Sequence, residues 1–386
     1  MLEPRKYNPA SKPMKQPING KSQTFSAVVK MKSSFPPTGM MVRKDSKSLK
    51  VFIVFTGDIY LQPYIKKNIG FVVNWMADLK GKKVLVTGGA GFIGYHLCNK
   101  LSALTDDLTI YDDLSSGKIE NVKDNPKAKF VKGDILDIKK LCSQPKSDLI
   151  YHLAAQVVVP YSMENPLIDF ETNAKGTLCV LEKARKDDAK LVFASSAAVY
   201  GNPTQLPTSE AYGFHPFSCY GLSKVVGEEY CNIYREQYGL DIVVTRFANV
   251  YGLRCHGVIH DFLEKLAKNP HKLEIIGTGQ QSRDLVHVSD VVELLVKVGS
   301  LESANGQTYN VGLGKTTKII DLAKLMLQIL NLQDKTVVTT TGVSWQGDIH
   351  TIWFDVFKAK KELNWNPKVS LEDSIKEVIA ARKLPQ

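Results

Sequence analysis

The sequence predicts a doubly wound α/β fold, in which a parallel sheet carries helices on both faces and a smaller, discontinuous α/β domain is attached. Three observations carry this reading. From Lys83 onward, short apolar runs alternate with segments of helical period, the pattern of repeated β-α-β units. The first run leads straight into a glycine string that opens a helix. Beyond residue 250 the alternation loosens, and 250–285 and 335–365 mix short apolar pieces with Gly, Pro and charge. A chain of 386 residues suits one large or two interlocked domains, and it contains no internal repeat.

In chain order, KVLVT at 83–87 is a buried strand and 92–104 a helix with apolar spacing. Residues 108–111 form the second strand, 130–132 the third and 149–152 the fourth. Residues 173–184 fall in a helix, 191–195 form the fifth strand, 218–237 a long helix and 242–247 the sixth strand. The expected division is a main parallel-sheet domain over 82–249 and a second domain over 250–382, with segments interleaved and the second placed over the carboxyl ends of the strands.

The formal charge of +11 points toward nucleic acid until its location is considered. Residues 1–75 hold 13 of the 50 Lys+Arg but only 3 of the 39 Asp+Glu, a net +10, so the remainder is close to neutral at +1. The body therefore has no basic surplus for nucleic acid. Residues 1–49 are rich in Lys, Ser and Pro with little periodicity and read as disordered, whereas 51–55 (VFIVF) and 71–75 (FVVNW) suit a strand or two. Two readings stand for 1–75: a basic extension, or a stretch included because the start codon was placed too early. The second is favoured because Met76 sits just ahead of the first strand.

The cysteines Cys98, Cys142, Cys179, Cys219, Cys231 and Cys255 form no CxxC pair and no metal-ligand spacing with His. Scattered thiols of this kind predict a reducing, cytoplasmic setting and no metal. No apolar run reaches the roughly 18 residues of a membrane span, and none resembles a signal peptide.

In Thr87-Gly88-Gly89-Ala90-Gly91-Phe92-Ile93-Gly94 the glycines fall at 88, 91 and 94. A strand end that turns tightly needs glycine. A pyrophosphate needs bare backbone N–H groups, and a helix N-terminus adds partial positive charge. A glycine string alone is common in flexible loops, but here a strand precedes it and a helix follows. Asp112 ends the second strand, 24 residues beyond Gly88. An acid there accepts hydrogen bonds from ribose hydroxyls and repels a 2′-phosphate, so the expected cofactor is NAD rather than NADP.

Tyr220 and Lys224 stand four apart in a predicted helix and share a face. A phenol with its usual pKa of about 10 is a poor base at neutral pH. A nearby ammonium and a nicotinamide cation are expected to lower it toward the working range. Ser196 ends the fifth strand, 24 residues before Tyr220, at the sheet edge where such folds bind ligands. A YxxxK pattern by itself is usually structural; behind a dinucleotide loop and a strand-end serine it reads as a catalytic set.

The motifs TGGAGFIG, YDDLSSG, HLAAQ, FASSAAVYG, YGLSK and RFANVYG, in this order, resemble the NAD-dependent epimerase/dehydratase family, the extended short-chain dehydrogenase/reductases. The likeness is greatest to UDP-glucose 4-epimerase-like members and covers about 82–382. It implies a Rossmann domain with a substrate domain, and often a homodimer in which the helices holding 173–184 and 218–237 pair across a two-fold axis. By resemblance, Gly88, Gly91, Phe92, Ile93 and Gly94 form the pyrophosphate loop, and Asp112 and Asp113 contact the adenosine ribose. Asp134 and Ile135 flank adenine; Leu153, Ala154, Ala155 and Asn173 line the cofactor. Ser196, Tyr220 and Lys224 match the catalytic set, with Tyr220 and Lys224 also touching the cofactor and Ser196 the substrate. Asn249 and Arg283 match contacts to the substrate's diphosphate, and Asp348 a contact to its nucleoside ribose.

Dehydratases and some decarboxylases of the family place an acid just after the active-site Ser or Thr. Here Ala197 and Ala198 follow Ser196, which favours epimerisation at C4 through a transient 4-keto sugar. Relatives usually carry an arginine two residues before the Gly347-Asp348 pair, and this chain has Trp345, which weakens the assignment to UDP-glucose. The alternatives are a 4-epimerase of UDP-uronic or N-acetyl sugars, a nucleotide-sugar 4-ketoreductase, or a non-enzymatic NAD-binding scaffold or sensor. Retention of Ser196, Tyr220 and Lys224 together disfavours the last.

Overall fold

The computed structural model describes residues 79–381 in full and, by backbone alone, two strands at Met40–Asp45 and Ser48–Ile53. These two strands pair antiparallel, Met40 opposite Ile53 and Asp45 opposite Ser48, within a unit, Met1–Trp75, separate from Met76–Gln386. Residues 40–45 and 48–49, which fall in the stretch read above as disordered, thus lie in strands. Averaging composition over the segment hides that its apolar residues at 40–42 fall in register with those at 51–53. Residues 1–39 and 71–75 lie outside the described residues.

In the unit Met76–Gln386 the strands β1 (Lys83–Thr87), β2 (Asp107–Asp112), β3 (Lys129–Lys132), β4 (Leu149–His152), β5 (Lys190–Ser196), β6 (Ile242–Phe247) and β7 (Thr308–Val311) form one parallel sheet. Its order is β7-β6-β5-β4-β1-β2-β3. The order reverses between β1 and β4, which opens a crevice at the carboxyl ends of the strands. Side chains alternate across the sheet. Val84 and Val86 of β1 enter a core with Leu97 of α1 (Phe92–Leu101) and Val291 and Leu295 of the helix Val288–Ser300. Leu85 between them enters the opposite core with Leu181 of α2 (Gly176–Asp187) and Cys231 of α3 (Cys219–Tyr238). Both faces are covered, so the strands read as continuous apolar runs rather than alternating ones.

A third core gathers Ile259, Phe262 and Leu263 of the helix Val258–Lys268 with Leu322 and Met326 of Ile319–Ile329 and Ile375 and Val378 of Leu371–Ala381. Short strands serve this region: Lys272–Ile275 pairs parallel with Val337–Thr340, and Ser282–Arg283 lies between Thr317–Lys318 and Thr351–Ile352. The chain thus reaches this core three times. No described helix is long and apolar enough to cross a membrane.

Two helices differ from expectation by more than one residue. The helix expected to run to 104 ends at Leu101, and Leu104 closes a turn on the Leu101 carbonyl. The segment 173–184 begins inside a π turn, Phe170–Lys175, before α2 starts at Gly176.

Candidate active site

The loop from Gly88 to Gly94 is built around its glycines. Gly88 has φ +72°, and a Cβ on it would lie 2.5 Å from the Ala154 nitrogen. A Cβ on Gly94 would lie 2.1 Å from the Gly88 carbonyl. Neither position admits a side chain. Gly91 precedes α1 with extended backbone and no side-chain cap, so the first N–H groups of α1 are available to an anion. Phe92 and Ile93 are half-buried and pack on the core beneath.

Asp112, at the end of β2, is buried and folds back on this loop. Its Oδ2 accepts from the Ala90 N–H (3.0 Å) and its Oδ1 from the Leu114 N–H (2.8 Å). Burial pushes its pKa up and these two bonds oppose the rise. Asp113 is held by Ser115, and Asp134 Oδ1 accepts from the Leu136 N–H (2.8 Å). Ile135 lies in the core under Gly176. Leu153, Ala154 and Ala155 leave β4 beside the loop, with the Leu153 N–H on the Thr87 carbonyl at 3.0 Å.

Ser218 caps α3 by accepting from the Gly221 N–H (3.0 Å), which sets Tyr220 and Lys224 on its buried face. Ser196 stands at the end of β5 beside the Tyr220 phenol. Lys224 Nζ donates to the Ala194 carbonyl (3.0 Å) and lies 6.0 Å from the centre of the Tyr220 ring. The three predicted residues are therefore together. The expected electrostatics is corrected, however. Burial pushes Tyr220 up to about 12, with Asp169 adding to the rise and the Ser196 hydroxyl opposing it. Burial also pulls Lys224 down to about 8. The ammonium donates to a carbonyl rather than to the phenol, and burial governs the Tyr220 shift.

Asn173 is fully enclosed in the π turn. Its Oδ1 accepts from the Gln156 N–H (2.9 Å), and its Nδ2 donates to the Gln156 carbonyl (2.9 Å) and to Asp169 (3.0 Å). Behind it His152 bridges Thr87 (2.8 Å) and Thr177 (3.1 Å). Thr177 gives its proton to the Asn173 carbonyl, so it accepts from His152 Nε2, and Nδ1 accepts from Thr87. The imidazole is neutral, held at about 3 chiefly by burial.

On the other side of the crevice, Arg283 pairs with Asp348, which Ser344 also contacts. Arg283 Nη1 donates to the Ser282 carbonyl (2.9 Å). Two residues read separately as substrate contacts thus form one buried ion pair. Trp345 stands 41 % exposed at the lip of a cleft of ≈ 220 Å³ shared with Thr278, Gln281 and Asp348. Asn249 is exposed in the strand Asn249–Tyr251, one residue from the sheet edge, with its N–H on the Asp284 carbonyl (3.0 Å).

Sequence reasoning missed the frame of the site. Arg246 of β6 holds Glu228 of α3 through Nε (3.0 Å) and Nη2 (2.7 Å), and Glu228 Oε1 also accepts from Ser195 (2.5 Å). Arg246 Nη1 donates to the Tyr200 hydroxyl (2.8 Å), which donates to Asn310 (2.7 Å). Asp284 gathers the N–H groups of Leu313 (2.6 Å), Gly314 (3.0 Å) and Phe354 (3.1 Å), and burial pushes it up to about 6. Arg246 inside RFANVYG and Tyr200 inside FASSAAVYG were available as signals, since a charge in a buried strand requires a partner.

Residues 85–378 match the sequence model of the GDP-mannose 4,6 dehydratase family. The chain is 36 % identical over 309 residues to a UDP-glucose 4-epimerase of Mycolicibacterium smegmatis, across 77 % of this chain and 97 % of that one. A solved UDP-glucose 4-epimerase of Thermotoga maritima with UDP-glucose shares 35 % identity at a TM-score of 0.72, over 78 % of this chain and 99 % of its own. A Thermus thermophilus UDP-glucose 4-epimerase in complex with NAD matches at 32 % identity and a TM-score of 0.69, over 77 % and 98 %.

Proposed function

The chain belongs to the GDP-mannose 4,6-dehydratase family of NAD-dependent epimerases and dehydratases, and on that premise we propose that it inverts C4 of a nucleotide-diphosphate sugar of the UDP-glucose/UDP-galactose type. The observation that carries this is the assembly of Ser196, Tyr220 and Lys224 at the carboxyl edge of the sheet with Ala197 and Ala198 in place of an acid. Elimination of water needs a further proton donor beside the serine, and inversion does not.

The enzyme uses NAD, and the loop fits it: Gly88 and Gly94 leave no room for a side chain and Gly91 leaves the helix start bare. When bound, NAD supplies a reversible hydride acceptor and a positive ring. Tyr220 Oη takes the proton of the sugar 4-hydroxyl and later returns it. Ser196 holds the C4 oxygen by its hydroxyl, and Lys224 supplies positive charge beside the phenol. Burial holds Tyr220 high, and the positive ring of bound NAD would lower it toward the working range. Between the two transfers the 4-keto hexose turns over, which requires the diphosphate to be held and the sugar to be loose. We assign Leu153, Ala154, Ala155, Asn173, Asp113, Asp134 and Ile135 to the cofactor lobe, and Asn249, Arg283 and Asp348 to the substrate lobe.

A panel of nucleotide sugars with chromatographic separation of products tests the proposal. Conversion of UDP-glucose to UDP-galactose without net NADH use is expected. Stoichiometric NADH consumption would instead identify a 4-ketoreductase, and turnover confined to uronic or N-acetyl sugars would move the substrate.

Asp112→Ala is expected to narrow the preference for NAD over NADP and also to weaken NAD itself by roughly tenfold, because Asp112 positions Ala90 as well as facing the ribose. Dissociation constants for both cofactors decide this, and tighter NADP than NAD binding by the parent would overturn the assignment. Arg283→Ala is expected to raise KM by about tenfold or more at unchanged NAD affinity. It strips a cation from the diphosphate side and leaves Asp348 as an unpaired buried carboxylate facing it. An unchanged KM would mean that the diphosphate is bound elsewhere.

We propose a homodimer, supported by the exposed apolar residues Tyr161, Leu167, Ile168, Phe170, Leu222 and Ile233 on the helices Val159–Glu164 and Pro166–Asp169, the π turn and α3. A monomeric mass in solution would remove it. The scattered cysteines support assignment to the cytoplasm.

A further inference from the structure

Ala90, inside the pyrophosphate loop, is fixed on both sides. Its N–H is on Asp112 (3.0 Å), and its carbonyl accepts from the Lys118 N–H (3.1 Å) and from Asn121 Nδ2 (2.7 Å). That carbonyl shares a planar peptide with the Gly91 N–H, so pinning it sets the approach to the first turn of α1. A side-chain amide can face either way, and something must fix which end of the buried Asn121 meets Ala90. Arg254 does so, because its Nη1 donates to Asn121 Oδ1. A guanidinium has donors only and a carbonyl only accepts, which leaves the amide one orientation.

Arg254 comes from the substrate lobe. It follows the strand Asn249–Tyr251, and its neighbours Leu253 and Cys255 pack with the third core. It reaches the cofactor lobe at several points. Its Nη2 pairs with Asp124 (2.6 Å), and its guanidinium lies over the ring of Tyr95 in α1, 4.1 Å from the centre. Beside it, His96 Nε2 of α1 donates to the Leu253 carbonyl (2.9 Å). The Arg254 backbone is left-handed, φ +66°. A residue with a side chain disfavours that conformation, and such strain persists where the surroundings impose it. The Arg254 and Asp124 side chains are 40 % and 46 % exposed, and an ion pair so exposed adds little to stability. Stability therefore accounts poorly for the arrangement.

We propose that Arg254 is a positioning residue for the cofactor, a clasp from the substrate lobe that holds the Ala90–Gly91 peptide through Asn121 and slows the release of NAD. The inference rests on the use of NAD and not on the identity of the sugar. Retention suits the proposed chemistry, because hydride leaves C4 and returns to it on the same cofactor.

The test is to load the protein with NADH, chase with excess NAD and follow release by nicotinamide fluorescence. Arg254→Met keeps a stem over Tyr95 and removes the fork. Asn121→Leu, or Asn121→Ser if the first does not fold, removes the link and leaves Arg254 on Asp124. Each is expected to speed release about tenfold, as for a buried hydrogen bond left unmade. The double variant is expected to be no faster than either single one, because the two residues act in series. Arg254→Lys keeps the charge but cannot serve Asn121 and Asp124 together, and is expected to release as fast as Arg254→Met. In the NAD-free protein, hydrogen exchange over 88–94 and 117–121 is expected to quicken in the same variants. The denaturation midpoint of Arg254→Met is expected to match that of the parent. Release at the parent rate in Arg254→Met or in the Asn121 variant overturns the proposal, as does a double variant whose effect is the product of the two. Parent-like retention in Arg254→Lys, or faster release with unchanged exchange, would place the Arg254 charge on the cofactor itself and overturns it too. No sugar enters these measurements, so a failure to turn over UDP-glucose rejects the substrate and leaves Arg254 assigned.

Discussion

Replacing Tyr220 by phenylalanine is expected to lower kcat by roughly 10²–10⁴-fold, the usual range for a positioned proton carrier, while NAD still binds. The substitution removes one oxygen from a buried ring and leaves its packing in place. Ser196 still accepts from the Ala198 N–H at 3.2 Å, so the strand end keeps its geometry. The other groups close to the reacting position are poor substitutes. Ser196 is a hydroxyl with no base behind it. Lys224 donates to the Ala194 carbonyl, and His152 is committed to Thr87 and Thr177. Steady-state kinetics on the best nucleotide sugar, with NAD affinity measured separately, checks this. Activity within a few-fold of the parent would remove Tyr220 from the mechanism.

The strands were legible because both faces of the sheet are covered, which makes each strand a continuous apolar run. The runs at β1, β4 and β6 therefore appear in the sequence with the ends they have in the structure. The seventh strand, Thr308–Val311, was not legible. It is four residues long and contains Asn310, which is tolerated in the sheet because its amide meets the carbonyls of Thr208 (3.0 Å) and Asp355 (3.1 Å). Those partners lie far along the chain, and no local pattern announces them. The helix Val288–Ser300, rich in Val and Leu, was passed over because it lies beyond the regular alternation of elements.

The site divides in the same way. Glycine spacing, the acid after β2 and the Tyr-Lys offset are short-range signals, and the structure brings their residues to one crevice. The direction of the Tyr220 shift depends on burial and on which acceptor Lys224 reaches, and neither follows from a four-residue offset. Arg283 and Asp348 were each assigned to the substrate through the family resemblance, as separate contacts. Their pairing arises because the strand Ser282–Arg283 runs parallel to Thr351–Ile352, a register that sequence alone does not supply.

Arg246→Met is expected to destabilise the fold by about 3–5 kcal/mol, the effect of stranding a buried carboxylate without its cation. Arg246 and Glu228 side chains are 6 % and 3 % exposed and 2.7 Å apart. After the substitution Glu228 retains only Ser195. The methionine itself is well accommodated, because the guanidinium lies between the rings of Tyr200 and Phe214, at 4.9 Å and 5.0 Å. The loss is thus attributed to the unpaired charge rather than to a cavity. The double variant Arg246→Met with Glu228→Leu separates these causes, and it is expected to recover most of the stability, since apolar replacement of a buried pair is often neutral. Activity is expected to stay below the parent in the double variant. Glu228 lies one helical turn beyond Lys224, and its bond to Ser195 ties α3 to the strand that ends in Ser196. Chemical denaturation of the three proteins, with kcat measured on each, resolves the two contributions. A single Arg246→Met variant as stable as the parent would show that the pair adds nothing net to this edge of the sheet. A double variant with full activity would show that the site holds its geometry without it.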